Sequence, residues 1–421
     1  MKTMIVAIPM FDSNMAVKAY KLCGKNGAKM LGLMKDYREM EEVLVSPGLN
    51  LVNKLGVEPF TGGLPLFADI NEYQLLMGVP MNMKIAPSQL VCVLPKDIPQ
   101  NVHVMERCTA LKEAGYSLAL DGVEPDMAEG ELMDMVDYLL CDANMPGFNS
   151  YFKKMLPHYR KKQVVFTGVP DMAMFKKLNN VPNAICSGTF YNQPLTVGTT
   201  GIAPVKVNAL QLLNQVNEAD FELTDIAKTI ERDPSISISL LRFINSPAVG
   251  VRQRIDSIRS AVAILGQKEV KRWVTVAVSV QLAEDRPGEI TKLSLVRAKF
   301  AENLATGYEM GVFAPSLFMA GLFSLLDVIL EMPMEDAINE VAVDARVRSA
   351  LVDKEGPLYE VLDLIYSYER ADWDKVSINL IRNNIEVDAL NKAFIDALIW
   401  YKELLMDIDE SEEAVQQQGS K

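Results

Sequence analysis

The chain has 421 residues, of which 49% are hydrophobic, and its formal net charge is −13. This composition supplies full hydrophobic cores, which excludes a globally disordered chain, and the length suggests two or three domains. No apolar run reaches the roughly 18 residues that a membrane-spanning helix needs, so we expect no membrane partner. The negative charge also opposes binding to the phosphate backbone of nucleic acids.

The cysteines and histidines of the chain indicate its cellular compartment and limit its possible chemistry. Five widely spaced cysteines without a C-x-x-C motif fit a reducing compartment better than a disulfide framework, which predicts a cytoplasmic protein. The chain has two histidines, His103 and His158. Because histidine is the commonest general acid or base and metal ligand, this scarcity limits the chemistry that the chain supports.

Residues 1–190 alternate short apolar runs with segments of helical length. Such alternation predicts a parallel sheet covered by helices, and about eight strands suggest a closed (β/α) barrel of the TIM type. A doubly wound open sheet is the alternative. The predicted strands span residues 4–11, 17–23, 64–70, 90–94, 118–123, 138–143, 163–169 and 184–190.

The composition changes at NQPLTVGTTGIAP, residues 192–204, which is rich in Gly, Pro and Thr and predicts a domain boundary. Beyond it the pattern is helical. Asp233 is predicted to cap a helix with Pro234 at its first position, and Ser257 and Gly266 to begin and end another. Residues 316–330 predict one central buried helix. The acidic tail, residues 407–421, is predicted to be disordered.

Two sets of motifs resemble known domains. IERDPSISISLLRFINSPAVG followed by IDSIRSAVAILGQKEVKRWV is similar to the HDOD domain, an all-helical relative of the HD phosphohydrolases. The order of strand-end motifs and the segment SGTFYNQPL resemble the EAL domain, a barrel that hydrolyses cyclic di-GMP. The resemblance implies a bacterial EAL–HDOD signalling protein with a degenerate EAL-like barrel at 1–195, an HDOD domain at 196–406 and the tail at 407–421.

The stretch SLALDGVEP, residues 117–125, places Asp121 directly after a buried strand, where barrel enzymes carry their catalytic groups. Active EAL enzymes hold two divalent metals with strand-end carboxylates. The resemblance assigns Lys21 to the position of the signature Glu, where a cation opposes metal binding. The retained acids are Asp69, Asp121 and Asp142, too few for a two-metal site. The other functional positions of the family are substituted by Cys92, Gly122, Leu140, Thr167 and Pro170, of which Leu140 stands where the family has the Lys of its K-I-D motif.

The second domain lacks its ancestral metal dyad in the same way. The resemblance places the His-Asp pair of HD enzymes at Ser324 and Leu325, and no histidine lies in this half of the chain. Loss of this dyad is normal for HDOD domains. Asp327 on the same segment is interpreted as a buried or half-buried acid with its polar groups satisfied.

These substitutions predict a non-catalytic signal-transduction or scaffold protein, without cofactor or metal, that acts on signalling proteins of unknown identity. One alternative is a receptor that binds cyclic di-GMP, with Mg²⁺, at the barrel strand ends without cutting it. Another is an active cyclic di-GMP phosphodiesterase. A minor alternative is nucleic-acid binding through the basic stretch from Arg252 to Arg272. The sequence leaves the oligomeric state open.

Overall fold

The computed structural model describes residues 3–26, 48–123, 130–148, 162–193, 204–218, 220–251 and 254–405. The chain divides into two compact units. The barrel unit comprises Met1–Gln193 and Tyr366–Asn391, and the helical unit comprises Pro194–Ile365 and Lys392–Lys421. None of the helices in these described ranges is both long and apolar enough to cross a membrane.

Eight strands close into one barrel in sequence order. The strand β1 is antiparallel to both of its neighbours, β2 and β8, whereas all pairs from β2 to β8 are parallel. The predicted barrel is confirmed, and the open-sheet alternative is excluded. The strands are β1 Thr3–Phe11, β2 Val17–Asn26, β3 Leu66–Asp69, β4 Leu90–Pro95, β5 Ser117–Asp121, β6 Tyr138–Asp142, β7 Gln163–Val169 and β8 Ile185–Gly188.

Alternate residues of each strand fill the barrel interior, because successive side chains of a strand point to opposite faces. The interior cluster takes at least one residue from every strand, and small side chains at Ala19 and Ala119 leave room for Phe67. This packing fixes which strand-end residues face inward, because each lies two positions beyond an interior residue. The cluster consists of Met10, Ala19, Phe67, Val91, Val93, Ala119, Leu140, Val165 and Ile185.

Short helices follow the strands of the barrel. Several begin with polar caps that the local sequence explains: Asn71, Asn101 and Asp171 each accept a hydrogen bond from a backbone N–H in the first turn. The described helices of this region are α1 Leu49–Leu55, α2 Glu58–Thr61, α3 Glu72–Leu76, α4 Val102–Glu113, α5 Glu131–Met135 and α6 Met172–Leu178.

The rest of the described chain is helical. The side chains of Asp233 and Ser257 accept hydrogen bonds from first-turn N–H groups, as predicted for helix caps. The helices are α7 Pro204–Asn217, α8 Leu223–Glu231, α9 Pro234–Asn245, α10 Ile258–Leu282, α11 Gly288–Leu304, α12 Ala314–Phe323, α13 Leu326–Leu330, α14 Met334–Asn339, α15 Ala345–Arg348, α16 Pro357–Glu369, α17 Trp373–Arg382 and α18 Val387–Leu405.

Two predicted helices are interrupted in the structure, one at Gly266 and one at Ser324. Gly266 takes a left-handed φ of 71° inside α10, so the predicted stop exists as a break between two helical stretches. Residues 316–330 are buried as predicted, but they form two helices, α12 and α13, and the prediction of one helix is wrong. The interruption lies at Ser324, whose hydroxyl donates to the carbonyl of Gly321 at 2.7 Å and satisfies an acceptor of the helix end.

The chain returns to the barrel after the helical unit has begun. Residues 366–391, which the sequence assigned to the helical domain at 196–406, group with the barrel instead. Three side chains of this segment form hydrogen bonds with the barrel: Tyr368 and Asn391 with β1, and Asp374 with β2. The predicted limit at residue 195 stays a prediction, and the predicted disordered tail lies outside the described residues.

Candidate functional site

The carboxyl ends of β2, β3 and β5 bring three predicted site residues together. The Nζ atom of Lys21 lies 3.3 Å from Oδ1 of Asp69 and 3.2 Å from Oδ2 of Asp121. The three side chains meet because Lys21, Asp69 and Asp121 each follow an interior residue, respectively Ala19, Phe67 and Ala119, by two positions. One ammonium group therefore bridges two carboxylates at the mouth of the barrel.

Burial and charge shape the ionisation of this cluster. The Lys21 side chain is 15% exposed, against 61% for Asp69 and 41% for Asp121. Burial alone would lower the pKa of Lys21, but the charges of the two carboxylates outweigh it, so the pKa is raised and the ammonium form is favoured. Partial desolvation, with repulsion from Asp121, raises the pKa of Asp69 despite the opposing effect of Lys21.

Cys92 lies away from this cluster. Its neighbours Val91 and Val93 belong to the barrel interior, so the side chain of Cys92 points outward from the barrel. Burial raises the pKa of its thiol to about 12, and the thiol of Cys108 on α4 adds to this shift. The inward position at this level of β4 is Val93, so the assignment of Cys92 to a ligand position is off by one residue. Neither residue supplies the oxygen ligand that a hard cation such as Mg²⁺ requires.

Asp121 and Asp142, the acids at the ends of β5 and β6, also serve the turns that follow their strands. Asp142 accepts the N–H of Asn144 at 2.9 Å. Asp121 also accepts the N–H of Gly122 at 2.8 Å, and Gly122 adopts a left-handed φ of 73°. These contacts agree with the turn-capping interpretation of strand-end aspartates. Leu140 is a fully buried member of the interior cluster.

The end of β7 carries the last two predicted positions. The hydroxyl of Thr167 donates to the carbonyl of Cys141 at 3.5 Å, a long contact. The carbonyl of Pro170 accepts from the hydroxyl of Thr189 at 3.3 Å and from the side-chain amide of Gln193. Thr189 and Gln193 of the closing segment thus bind back to the residue that follows β7, and Pro170 serves the closure of the barrel, whereas Thr167 contacts β6.

Three residues near the mouth did not appear among the predicted site positions. Cys23, two residues beyond Lys21, is half-buried, and its partial removal from water raises the pKa of its thiol to about 11. The aliphatic chain of Lys96 lies against Gly122, so that a Cβ at Gly122 would be 3.4 Å from Lys96 Cδ. Asn144 approaches Gly168 in the same way, at 2.5 Å from the position of a Cβ there. The period of two along β2 is the signal that would have identified Cys23.

The donor set does not fit a pair of divalent metals. Hard cations such as Mg²⁺ require several oxygen ligands at short distance, and here an ammonium group stands between the two carboxylates that converge. Over the described ranges, no group of three or more His, Cys, Asp or Glu side chains is arranged to hold a metal ion.

The predicted HD positions in the helical unit are buried in its core. Ser324 accepts a hydrogen bond from the guanidinium of Arg297 at 3.1 Å, and Leu325 is 2% exposed. Asp327 is buried nearby, where burial raises its pKa, while the N–H of Val328 and the charge of Arg297 oppose that shift. A protein cation thus lies within the region that the resemblance assigns to the ancestral metal dyad.

Gly321 on α12 allows α11, the helix that carries Arg297, to pack close to Ser324. A Cβ on Gly321 would lie 2.5 Å from the backbone oxygen of Arg297 and 2.6 Å from Cα of Ala298. Since no side chain fits in that space, Gly321 allows α11 and α12 to approach at backbone distance. Ser294 on α11 adds a hydrogen bond of 2.6 Å to the carbonyl of Leu322.

Comparison with known proteins gives a family match and two full-length relatives. Residues 202–356 match the HDOD domain model. The chain is 27% identical over 416 residues to the uncharacterized protein YuxH of Bacillus subtilis, covering 96% of this chain and 99% of YuxH. It is 23% identical over 405 residues to the cyclic di-GMP phosphodiesterase CdgJ of Vibrio cholerae, covering 96% of this chain and 93% of CdgJ.

Among solved structures, the chain is similar to Klebsiella pneumoniae BlrP1 in a calcium and cyclic di-GMP complex. The identity is 14% and the TM-score 0.37, and the match covers 46% of this chain and 56% of that one. The likeness thus spans about half of the BlrP1 chain. The assignment of the barrel itself rests on its strand pairing.

Proposed function

Since the chain carries an HDOD domain behind a closed eight-stranded barrel, the arrangement of an EAL–HDOD protein, we propose that it is a non-catalytic signalling protein that acts through contacts with other proteins. In this proposal the barrel and the helical unit keep their folds and have lost the metal chemistry of their ancestors. The contacts are made in a bacterial signalling pathway related to cyclic di-GMP.

The bridge from Lys21 to Asp69 and Asp121 is the observation that carries the proposal. A metal ion at this position would have to push the largely buried ammonium group of Lys21 away from the two carboxylates. The ion would then bind next to that positive charge. Repulsion between the two cations makes that costly, because the side chain of Lys21 is largely removed from water. The two carboxylates already have a positive partner, so they gain little from a metal.

The charges at the mouth also argue against a receptor for cyclic di-GMP. The ligand carries two phosphates, and the Lys21 cluster has one cation for two carboxylates. The other lysine of this strand end, Lys25, lies 2.7 Å from the carboxylate of Asp374. At Lys21 and Lys25 a dianionic ligand would therefore meet acids, and binding at either lysine would require an ion pair to open.

Two arginines of the basic stretch from Arg252 to Arg272 are already paired with carboxylates. Arg259 forms a two-pronged contact with Glu231, at 2.9 and 3.2 Å. Arg272 does the same with Glu302, at 2.6 and 3.0 Å. Because these carboxylates already neutralise the guanidinium groups, phosphate contacts would have to replace them.

Exposed apolar side chains provide candidate contacts for protein partners. In the helical unit, Ile238 is 68% exposed, Ile264 is 65% exposed and Val312 is 90% exposed. Single exposed apolar residues are normal on protein surfaces. If they contact a signalling partner, their replacement by polar residues should weaken binding to that partner without lowering the stability of the protein.

Calorimetric titration of the full chain with cyclic di-GMP in the presence of Mg²⁺, followed by chromatography of the mixture, tests the proposal. We expect no binding heat and no linear dinucleotide product. Heat without product would make the barrel a receptor. Product that depends on the metal would make the chain a phosphodiesterase, the activity printed in the name of its relative CdgJ, and would overturn the proposal.

A further inference from the structure

The outer edge of β1 is covered by the segment Tyr366–Asn391. β1 pairs with β2 from Thr3 to Phe11, but its described pairing with β8 is confined to Met10 and Phe11. Within the described residues, the stretch Thr3–Pro9 therefore has a strand partner on one side. An unpaired edge exposes backbone N–H and C=O groups and is a template for pairing with another strand.

Side chains of the returning segment satisfy this edge. The hydroxyl of Tyr368 donates to the carbonyl of Ile5 at 2.7 Å and accepts the N–H of the same residue at 3.3 Å. The side-chain amide of Asn391 donates to the carbonyl of Thr3 at 2.7 Å. Since alternate residues of an antiparallel strand bond to opposite neighbours, Thr3 and Ile5 are the positions at which a further strand would pair.

The covering contact is built into a buried site. Tyr368 is fully buried, and its ring packs edge-on against Trp373 at 5.4 Å between centroids. Burial raises the pKa of its hydroxyl. On the neighbouring strand, Lys25 pairs with Asp374 at 2.7 Å, although Asp374 is 88% exposed and such a pair contributes little.

We propose that Tyr366–Asn391 is a strap that keeps the edge of β1 closed against strand addition by a second copy of this chain. The first six residues of the strand, TMIVAI, carry no charge and no proline and are rich in apolar residues, which is the composition that pairs readily when uncovered. When the strap is released, β1 of one copy pairs with β1 of the other. The proposal is independent of the function proposed for the barrel mouth.

The double variant Tyr368→Phe/Asn391→Ala tests this in the full chain by hydrogen exchange and sedimentation velocity. We expect the amide of Ile5 to exchange about five- to tenfold faster at low protein concentration, which corresponds to the loss of roughly one hydrogen bond. We expect association that grows with concentration. Protection of β1 should return as the copies associate, because the edge then has a strand partner.

A matched control removes the same chemical groups elsewhere. Tyr116 donates its buried hydroxyl to the carbonyl of Pro80 at 2.9 Å, and Asn303 donates to the carbonyl of Ala393 at 2.9 Å. The variant Tyr116→Phe/Asn303→Ala should leave β1 exchange and the sedimentation coefficient unchanged. The single variant Tyr368→Phe serves if the double variant fails to fold. Faster β1 exchange without association, or equal effects in the control, would overturn the proposal.

Discussion

The ammonium group of Lys21 lies 3.2 Å from the carboxylate of Asp121, although 100 positions separate the two residues in the chain. The contact joins the ends of β2 and β5 across the barrel mouth, and Asp69 on β3 completes it. A cation supplied by the protein thus neutralises the acids that remain at the strand ends. This arrangement predicts consequences for stability as well as for metal binding.

Replacing Lys21 by Met should destabilise the barrel unit by about 1 kcal/mol, because Asp69 and Asp121 are then left facing each other without a cation. Both acids are partly exposed, which limits the cost through solvent screening. Urea denaturation measures the change. Lys25→Met is the matched control and should cost less, since Asp374 is almost fully exposed. Adding Asp121→Asn should recover stability in the Lys21→Met background, and a further loss there would contradict the account.

Glu302 predicts a pH dependence of the helical unit. Its pKa is lowered because contacts with Arg272 and Lys299 outweigh the effect of burial. A carboxyl group whose pKa is lowered in the folded protein stabilises the fold at pH values above its ordinary pKa of about 4.5. That contribution is lost as the pH falls through the lowered pKa.

The difference in thermal midpoint between the wild type and Glu302→Gln should therefore be full at pH 7 and shrink steadily below pH 4.5. Thermal melts followed by circular dichroism over a pH series measure it. Glu231→Gln, which removes a contact to the largely exposed Arg259, is the control and should show a smaller difference at every pH. A difference for Glu302→Gln that stays constant down to acid pH would exclude this origin.

Arg297 should be required for the core of the helical unit. Its replacement by Met leaves Asp327 buried with a weaker compensating charge and removes the donor to Ser324, which we expect to cost about 3 kcal/mol. The double variant Arg297→Met/Asp327→Asn removes both charges and should recover part of that loss. The single variant Asp327→Asn completes the cycle. Chemical denaturation of the wild type and these three variants gives the coupling energy, and a coupling near zero would show that the two residues act separately.

Much of the fold follows from local patterns. Most strands are apolar runs, although β2 carries three lysines, and Asp233 and Ser257 cap helices because their short side chains reach first-turn N–H groups. The meeting of Lys21, Asp69 and Asp121 was also predictable in outline, since the ends of parallel strands share one edge of a barrel. The bridging distances were not, because they depend on rotamers in the assembled mouth.

Features that depend on packing between residues far apart in the chain could not be predicted from the sequence. The outward direction of Cys92 depends on the register of β4 within the barrel, and a shift of one residue reverses it. The helix break at Ser324 depends on its hydroxyl and on the close approach of α11 that Gly321 allows. The bond from Tyr368 to Ile5 spans 363 positions and has no local signature.

Binding of Mn²⁺ to the wild type, Lys21→Glu and Lys21→Gln, measured by isothermal titration calorimetry, tests most directly whether Lys21 takes the place of a metal. Lys21→Glu supplies a third carboxylate beside Asp69 and Asp121 and should bind the ion. Lys21→Gln removes the positive charge without adding a carboxylate and should bind far more weakly. The wild type should show no binding. Binding by the wild type as tight as that of Lys21→Glu would contradict the account.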